Sequence, residues 1–160
     1  MFPIVGGRSP RARRLVALTL LALAVAGCGT ISTTPPAATP GPFPEIAGRI
    51  AQRAIVVSDP VSGDPGCPDQ NLAKTAIAFS ASGLDQPTPV RMYIYIFRDR
   101  ATYERLRSTV DDCARSYVTD AASYETVETS PYVLSGQGPW GTQFKEALRA
   151  AIVAAAGTGD

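Results

Sequence analysis

Histidine is absent from all 160 residues of the chain. Ser-His-Asp and Cys-His catalysis both depend on imidazole, so both are excluded, and the commonest metal ligand goes with them. Lysine is almost as scarce, since 13 of the 15 basic residues are arginine. With Ala, Gly and Pro abundant, that bias points to GC-rich codons rather than to a function. A strong net charge is also missing, at +1 overall. Residues 1–27 hold four arginines and no acid, which leaves 11 basic and 14 acidic residues in the remainder, about −3. No basic field of the kind that nucleic-acid binding requires is present. Nor does any apolar run reach the ~20 residues that a membrane-spanning helix needs.

What is present begins with Arg8, Arg11, Arg13 and Arg14, followed by an apolar run from Leu15 to Ala26 that ends in Val25-Ala26-Gly27-Cys28. A basic region, a short apolar region and a small-residue cleavage site together make a secretory signal over residues 1–27. The last four residues resemble the lipobox of bacterial lipoproteins, in which a small residue precedes an invariant Cys. That resemblance implies that Cys28 is acylated and becomes the first residue of the mature chain, anchored at the outer, extracytoplasmic face of the cell membrane. Ala24-Val25-Ala26 is also an A-x-A pattern, so cleavage after Ala26 with release of the chain stays open. Arg13-Arg14 leaves the export route, general secretory or twin-arginine, open as well.

With Cys28 assigned to lipid, Cys67 and Cys113 remain. Two thiols in an oxidising compartment read as one structural disulfide, and their wide separation does not suit C-x-x-C redox chemistry. Residues 28–44 form a tether: Gly29 to Pro44 contains five prolines, four threonines and no charge. Such a stretch buries nothing and spans at most ~50 Å at about 3.1 Å per residue.

Residues 45–157 suffice for a single small domain. Pro44-Glu45 suits a helix start, and Ile46, Ile50 and Ala54 follow at steps of four. Asp59 to Pro68 is dense in turn residues. Lys74 to Ser82 alternates as a strand. Val90 to Arg98 is the strongest strand, with Met92, Ile94 and Ile96 on one face and Tyr93, Tyr95 and Phe97 on the other. Asp99 can cap the next helix, whose stripe is Tyr103, Leu106, Val110, Cys113 and Tyr117. Ser123 to Ser135 reads as further strand, broken or bent at Pro131, and Thr142 to Ala156 as the last helix. The expectation is an α+β fold in the order α-β-β-α-β-α, a mainly antiparallel sheet of about three strands with helices on one face.

Several motifs fail on inspection. Gly136 to Gly141 is literally G-x-G-x-x-G, but no second parallel strand follows and Pro139 lacks the N–H a pyrophosphate would need. Asp59, Asp64 and Asp69 stand five apart, which is wrong for an EF-hand. They read as loop and cap residues, Asp69 as the N-cap of a turn from Gln70 to Lys74. Glu125 and Glu128 fall on opposite faces of a strand and cannot flank one glycosidic bond. No metal or cofactor site emerges. If helices cover only one sheet face, Tyr93, Tyr95 and Phe97, with Tyr132 and Trp140 nearby, line the open one, and an exposed aromatic patch commonly marks a binding surface.

A strand leading into a Cys-bearing helix (Met92 to Cys113), then a strand and a Gly-Pro-Trp before the final helix, is similar to the extracellular sensor domain of actinobacterial receptor kinases and of related lipoproteins. That similarity implies ligand sensing or envelope binding without catalysis. The sequence thus leads to the expectation of a lipid-anchored, non-catalytic binding or sensor-like module of the cell envelope. Its partners are the membrane, through Cys28, and an envelope protein or small ligand. A structural partner docking on another envelope protein is the alternative, and a small enzyme using carboxylates or a metal comes third.

Overall fold

The computed structural model describes residues 42–157; Cys28, the signal segment and most of the tether lie outside them. Helix α1 (Phe43–Ala51) starts one residue earlier than Pro44, which occupies its first turn with Glu45. Strand β1 (Ile55–Ser62) follows, then the single turn α2 (Gln70–Ala73), β2 (Ala76–Gly83), β3 (Gln86–Ile96) and α3 (Arg100–Ala114). A 3₁₀ turn (Ala121–Ser123) leads into β4 (Tyr124–Thr129), β5 (Tyr132–Gln137) and α4 (Thr142–Ala156). Asp69 and Asp99 are N-caps as the sequence suggests, Asp99 accepting from the Thr102 N–H at 2.8 Å.

The fold is α+β, but the sheet has five strands rather than about three, in the order β1-β2-β3-β5-β4. All its pairings are antiparallel. Two elements account for the difference. The Asp59–Pro68 stretch read as turn contains the end of β1, which passes Pro60 by a bulge between Ser58 and Val61, with Asp59 at φ 52°. An edge strand tolerates this, because its outer N–H groups have no sheet partner to lose. The Ser123–Ser135 stretch is broken at Pro131, as the sequence allows, and its two halves pair as the β4–β5 hairpin.

Helices cover both faces, which corrects the one-face expectation. Helices α1 and α4 close the face carrying Ile77, Phe79, Met92, Ile94 and Leu134, with Phe43, Ile46, Ile50, Phe144, Leu148 and Ile152. Helices α2 and α3 close the other, packing Leu72, Val110 and Cys113 on Ala76, Ala78, Tyr93, Tyr95, Phe97 and Val133. The Cys67–Cys113 disulfide, with Cα atoms 5.4 Å apart, ties the loop before α2 to α3. That separation lies within the range a relaxed bridge adopts.

Candidate functional site

The aromatic face proposed from period two is real as a face and wrong as a surface. Tyr93, Tyr95 and Phe97 are 9 %, 0 % and 2 % exposed. Tyr95 donates its hydroxyl to the Pro65 carbonyl at 2.7 Å. Tyr93 stacks on Tyr117 at 4.2 Å between ring centres, and Phe97 meets Tyr103 edge-on at 5.9 Å. The Tyr117 and Ser135 hydroxyls lie 2.8 Å apart. Burial pushes the Tyr95 phenol well above its ordinary range and raises that of Tyr117. The loop over these rings needs Gly66, at φ +78°, because a Cβ there would sit 2.5 Å from the Tyr117 ring. Tyr132 and Trp140 are buried too, in the other core. Trp140 donates its indole N–H to the Gln137 carbonyl at 3.1 Å. The five aromatic candidates are therefore split between two cores and form no common surface.

A cleft of about 470 Å³ opens instead where α3 ends over the start of β4, lined by Arg107, Asp111, Ala114, Arg115, Val118, Ala121 and Tyr124. Helical spacing sets Arg107, Asp111 and Arg115 one turn apart on α3. Arg107 Nε donates to Glu128 Oε2 at 2.7 Å, and its Nη1 lies 2.8 Å from Asp111 Oδ1. Tyr124 donates its hydroxyl to Asp111 Oδ1 at 2.9 Å, and Tyr103 to Glu128 Oε2 at 3.3 Å. The hydrogen bond and charge of Arg107 hold the Glu128 carboxyl below its ordinary value. Glu128 in turn keeps Arg107 firmly protonated. Burial, then the bond to Asp111, raises the Tyr124 phenol. At the rim, Arg115 is largely exposed and 3.1 Å from Asp112. The floor is a fixed pattern of charges on an apolar wall, suited to holding a polar ligand. The sequence signal for this site was the Arg107–Asp111–Arg115 spacing, which alone is indistinguishable from an ordinary solvated helix face.

The remaining motifs take structural roles. Asp64 accepts from the Gly66 N–H at 2.9 Å and pairs with Arg91 at 3.2 Å, while Asp69 caps α2. Glu125 and Glu128 bond to Lys145 and Arg107, on helices of opposite layers. Gly141 opens α4. Among the described residues no group of His, Cys, Asp or Glu is placed to hold a metal, and no helix is long and apolar enough to cross a membrane.

Fold and cleft together define a small α+β domain with a five-stranded antiparallel sheet between two helical layers. Comparison with protein-family models, with curated proteins and with solved structures returned no match for this chain.

Proposed function

We propose that the protein is a lipid-anchored, non-catalytic binding or sensor-like module of the bacterial cell envelope, carried on acylated Cys28. The observation that carries the reading is the order of its first 28 residues: four arginines, an apolar run and Val25-Ala26-Gly27-Cys28. The Cys67–Cys113 disulfide supports it, because such bonds persist in oxidising compartments. The cleft beneath α3 is the place where a small polar ligand would sit. Its charged groups are engaged with one another, and the fixed pattern of donors and acceptors they present supports a binding role. A structural partner docking on another envelope protein is the alternative; it would have to use a surface other than the Tyr93, Tyr95 and Phe97 face, which α2 and α3 cover.

Metabolic labelling with an alkynyl fatty acid tests the anchor: the wild type incorporates it and Cys28→Ala does not. Equal labelling of both removes the lipoprotein reading. For the cleft, envelope extract passed over the wild type and over Ala121→Trp, whose indole fills the cleft mouth, is compared by mass spectrometry for retained small molecules. Retention by the wild type alone supports the site, and an identical profile from both rejects it.

A further inference from the structure

The two edges of the sheet are built differently. Edge β1 is closed to further pairing by Pro60, by its bulge and by the positive φ of Asp59. Edge β4 has no such device. It runs unbroken from Tyr124 to Thr129 against β5, with neither proline nor bulge, and among the described residues its outer side has no strand partner. Charged side chains often guard such an edge, and β4 carries Glu125 and Glu128. Both are drawn away from it: Glu125 is bound to Lys145 on α4 and Glu128 to Arg107 on α3. Their charges are neutralised above and below the sheet, and among the described residues no backbone group pairs with the strand between them on its outer side.

We infer that β4 pairs antiparallel with β4 of a second copy of this chain, about a two-fold axis perpendicular to the sheet. Opposed residues of an antiparallel pair point to the same face, so identical strands match even positions with even and odd with odd. With the axis at Thr126, Glu125 stands opposite Val127 and Tyr124 opposite Glu128. With the axis at Val127, Glu125 stands opposite Thr129 and Thr126 opposite Glu128. Neither register opposes like charges.

Helix α4 supplies the reason for a second copy rather than a foreign strand. A groove of about 500 Å³ runs beside β4, lined by Glu125, Trp140, Thr142, Lys145, Glu146 and Arg149. Its charges are two of each sign. Lys145 and Glu125 satisfy each other, whereas Glu146 and Arg149, both exposed, enter no ion pair among the described residues. They lie three residues apart on an exposed stripe that continues to Val153, nearly half-exposed. A surface that meets itself across a two-fold must bring opposite charges together, and an antiparallel α4–α4 contact sets Glu146 of one copy beside Arg149 of the other. A groove evolved for a foreign peptide needs no such self-match.

The test uses two differently tagged full-length chains expressed in one cell, with capture through one tag and detection of the other. Wild-type copies capture each other. Glu146→Arg faces arginine with arginine and Arg149→Glu faces acid with acid, so each variant loses self-capture at least about tenfold. Glu146→Arg and Arg149→Glu expressed together recover it, because every contact across the axis is again between opposite charges. Melting temperatures near the wild type's confirm that the exposed substitutions leave the fold intact. Single variants that still self-capture fully, or a mixed pair no better than either alone, overturn the inference. Wild-type copies that do not capture each other also overturn it, and an extended segment of another protein then becomes the occupant to seek. Loss of acylation does not change the readout, so failure here is distinguishable from failure of the lipoprotein reading.

Discussion

The carboxylate of Asp85, in the β2–β3 turn, accepts the backbone N–H of Phe144 at 2.8 Å and that of Gln143 at 2.9 Å. A hairpin turn thus supplies the N-cap of the last helix, whose own cap position, Gly141, has no side chain to do so. Gln86 Oε1 accepts the Gly141 N–H at 3.2 Å and completes the junction. Gly141 is required for space: a Cβ there would lie 2.3 Å from Asp85 Oδ1.

Asp85→Ala should therefore lower the melting temperature by freeing the first turn of α4. Gly141→Ala should do the same by pushing the carboxylate away, at a cost of about 1–3 kcal/mol. The double variant should be less destabilised than the sum, since both changes remove one contact. The bond from Gln143, then those from neighbouring backbone groups, lower the Asp85 pKa. A carboxylate depressed in the folded state stabilises above its unfolded value and ceases to as pH falls through the folded one. The gap between wild type and Asp85→Ala should accordingly be full at pH 7 and shrink toward pH 3, read by thermal denaturation across that range. A gap independent of pH would assign the effect to packing.

Tyr93 and Tyr95 allow a second decision. Tyr95→Phe should cost about 1–3 kcal/mol, because it leaves the buried Pro65 carbonyl without its donor. Tyr93→Ser with Tyr95→Ser removes two core rings and should prevent folding, seen as loss of the near-ultraviolet circular dichroism signal. A folded double variant would mean that the α3 layer is dispensable.

Those rings show what the sequence could and could not disclose. Period two correctly separated Met92, Ile94 and Ile96 from Tyr93, Tyr95 and Phe97, because alternation is a property of the strand itself. Which face lacks a helix is a property of the connections. The chain leaves β3, crosses one face as α3, and returns by β4 and β5 to put α4 on the other. The α3 stripe through Val110 and Cys113 was legible, but not the side of the sheet it would meet. Strand β1 was hidden for a local reason, since Asp59-Pro60 spells a turn and serves as an edge bulge. The Asp85 cap and the Arg107 cluster bring together positions distant in the chain, and no spacing rule reaches across that distance.

Cys67 and Cys113 bear on stability directly. Their bond closes a loop of sequence separation 46, and losing such a link should cost about 2–4 kcal/mol. Cys67→Ser/Cys113→Ser should unfold at lower denaturant than the wild type, with reductant shifting the wild type and leaving the variant unmoved. If reductant shifts both alike, the effect is not that of this bond.

Arg107 offers the last prediction, because it joins packing to charge. Its guanidinium hydrogen-bonds Glu128 on β4 and forms an ion pair with Asp111 on its own helix, so it ties α3 to the sheet edge at the floor of the cleft. Glu128 is about one-third exposed, and screening limits the worth of such a pair. Arg107→Leu, which keeps an apolar stem, should thus lose about 1 kcal/mol at pH 7. Arg107 is the first cause of the lowered Glu128 pKa. The pair's contribution is hence complete above the ordinary Glu value and fades as pH falls through the depressed one. As pH falls below the depressed Glu128 value wild type and variant should converge in denaturant midpoint, whereas a difference that persists would assign Arg107 to packing through its methylenes rather than to charge. Arg107→Lys should recover only part of the loss, since an ammonium cannot form the two parallel bonds that the guanidinium makes to Glu128.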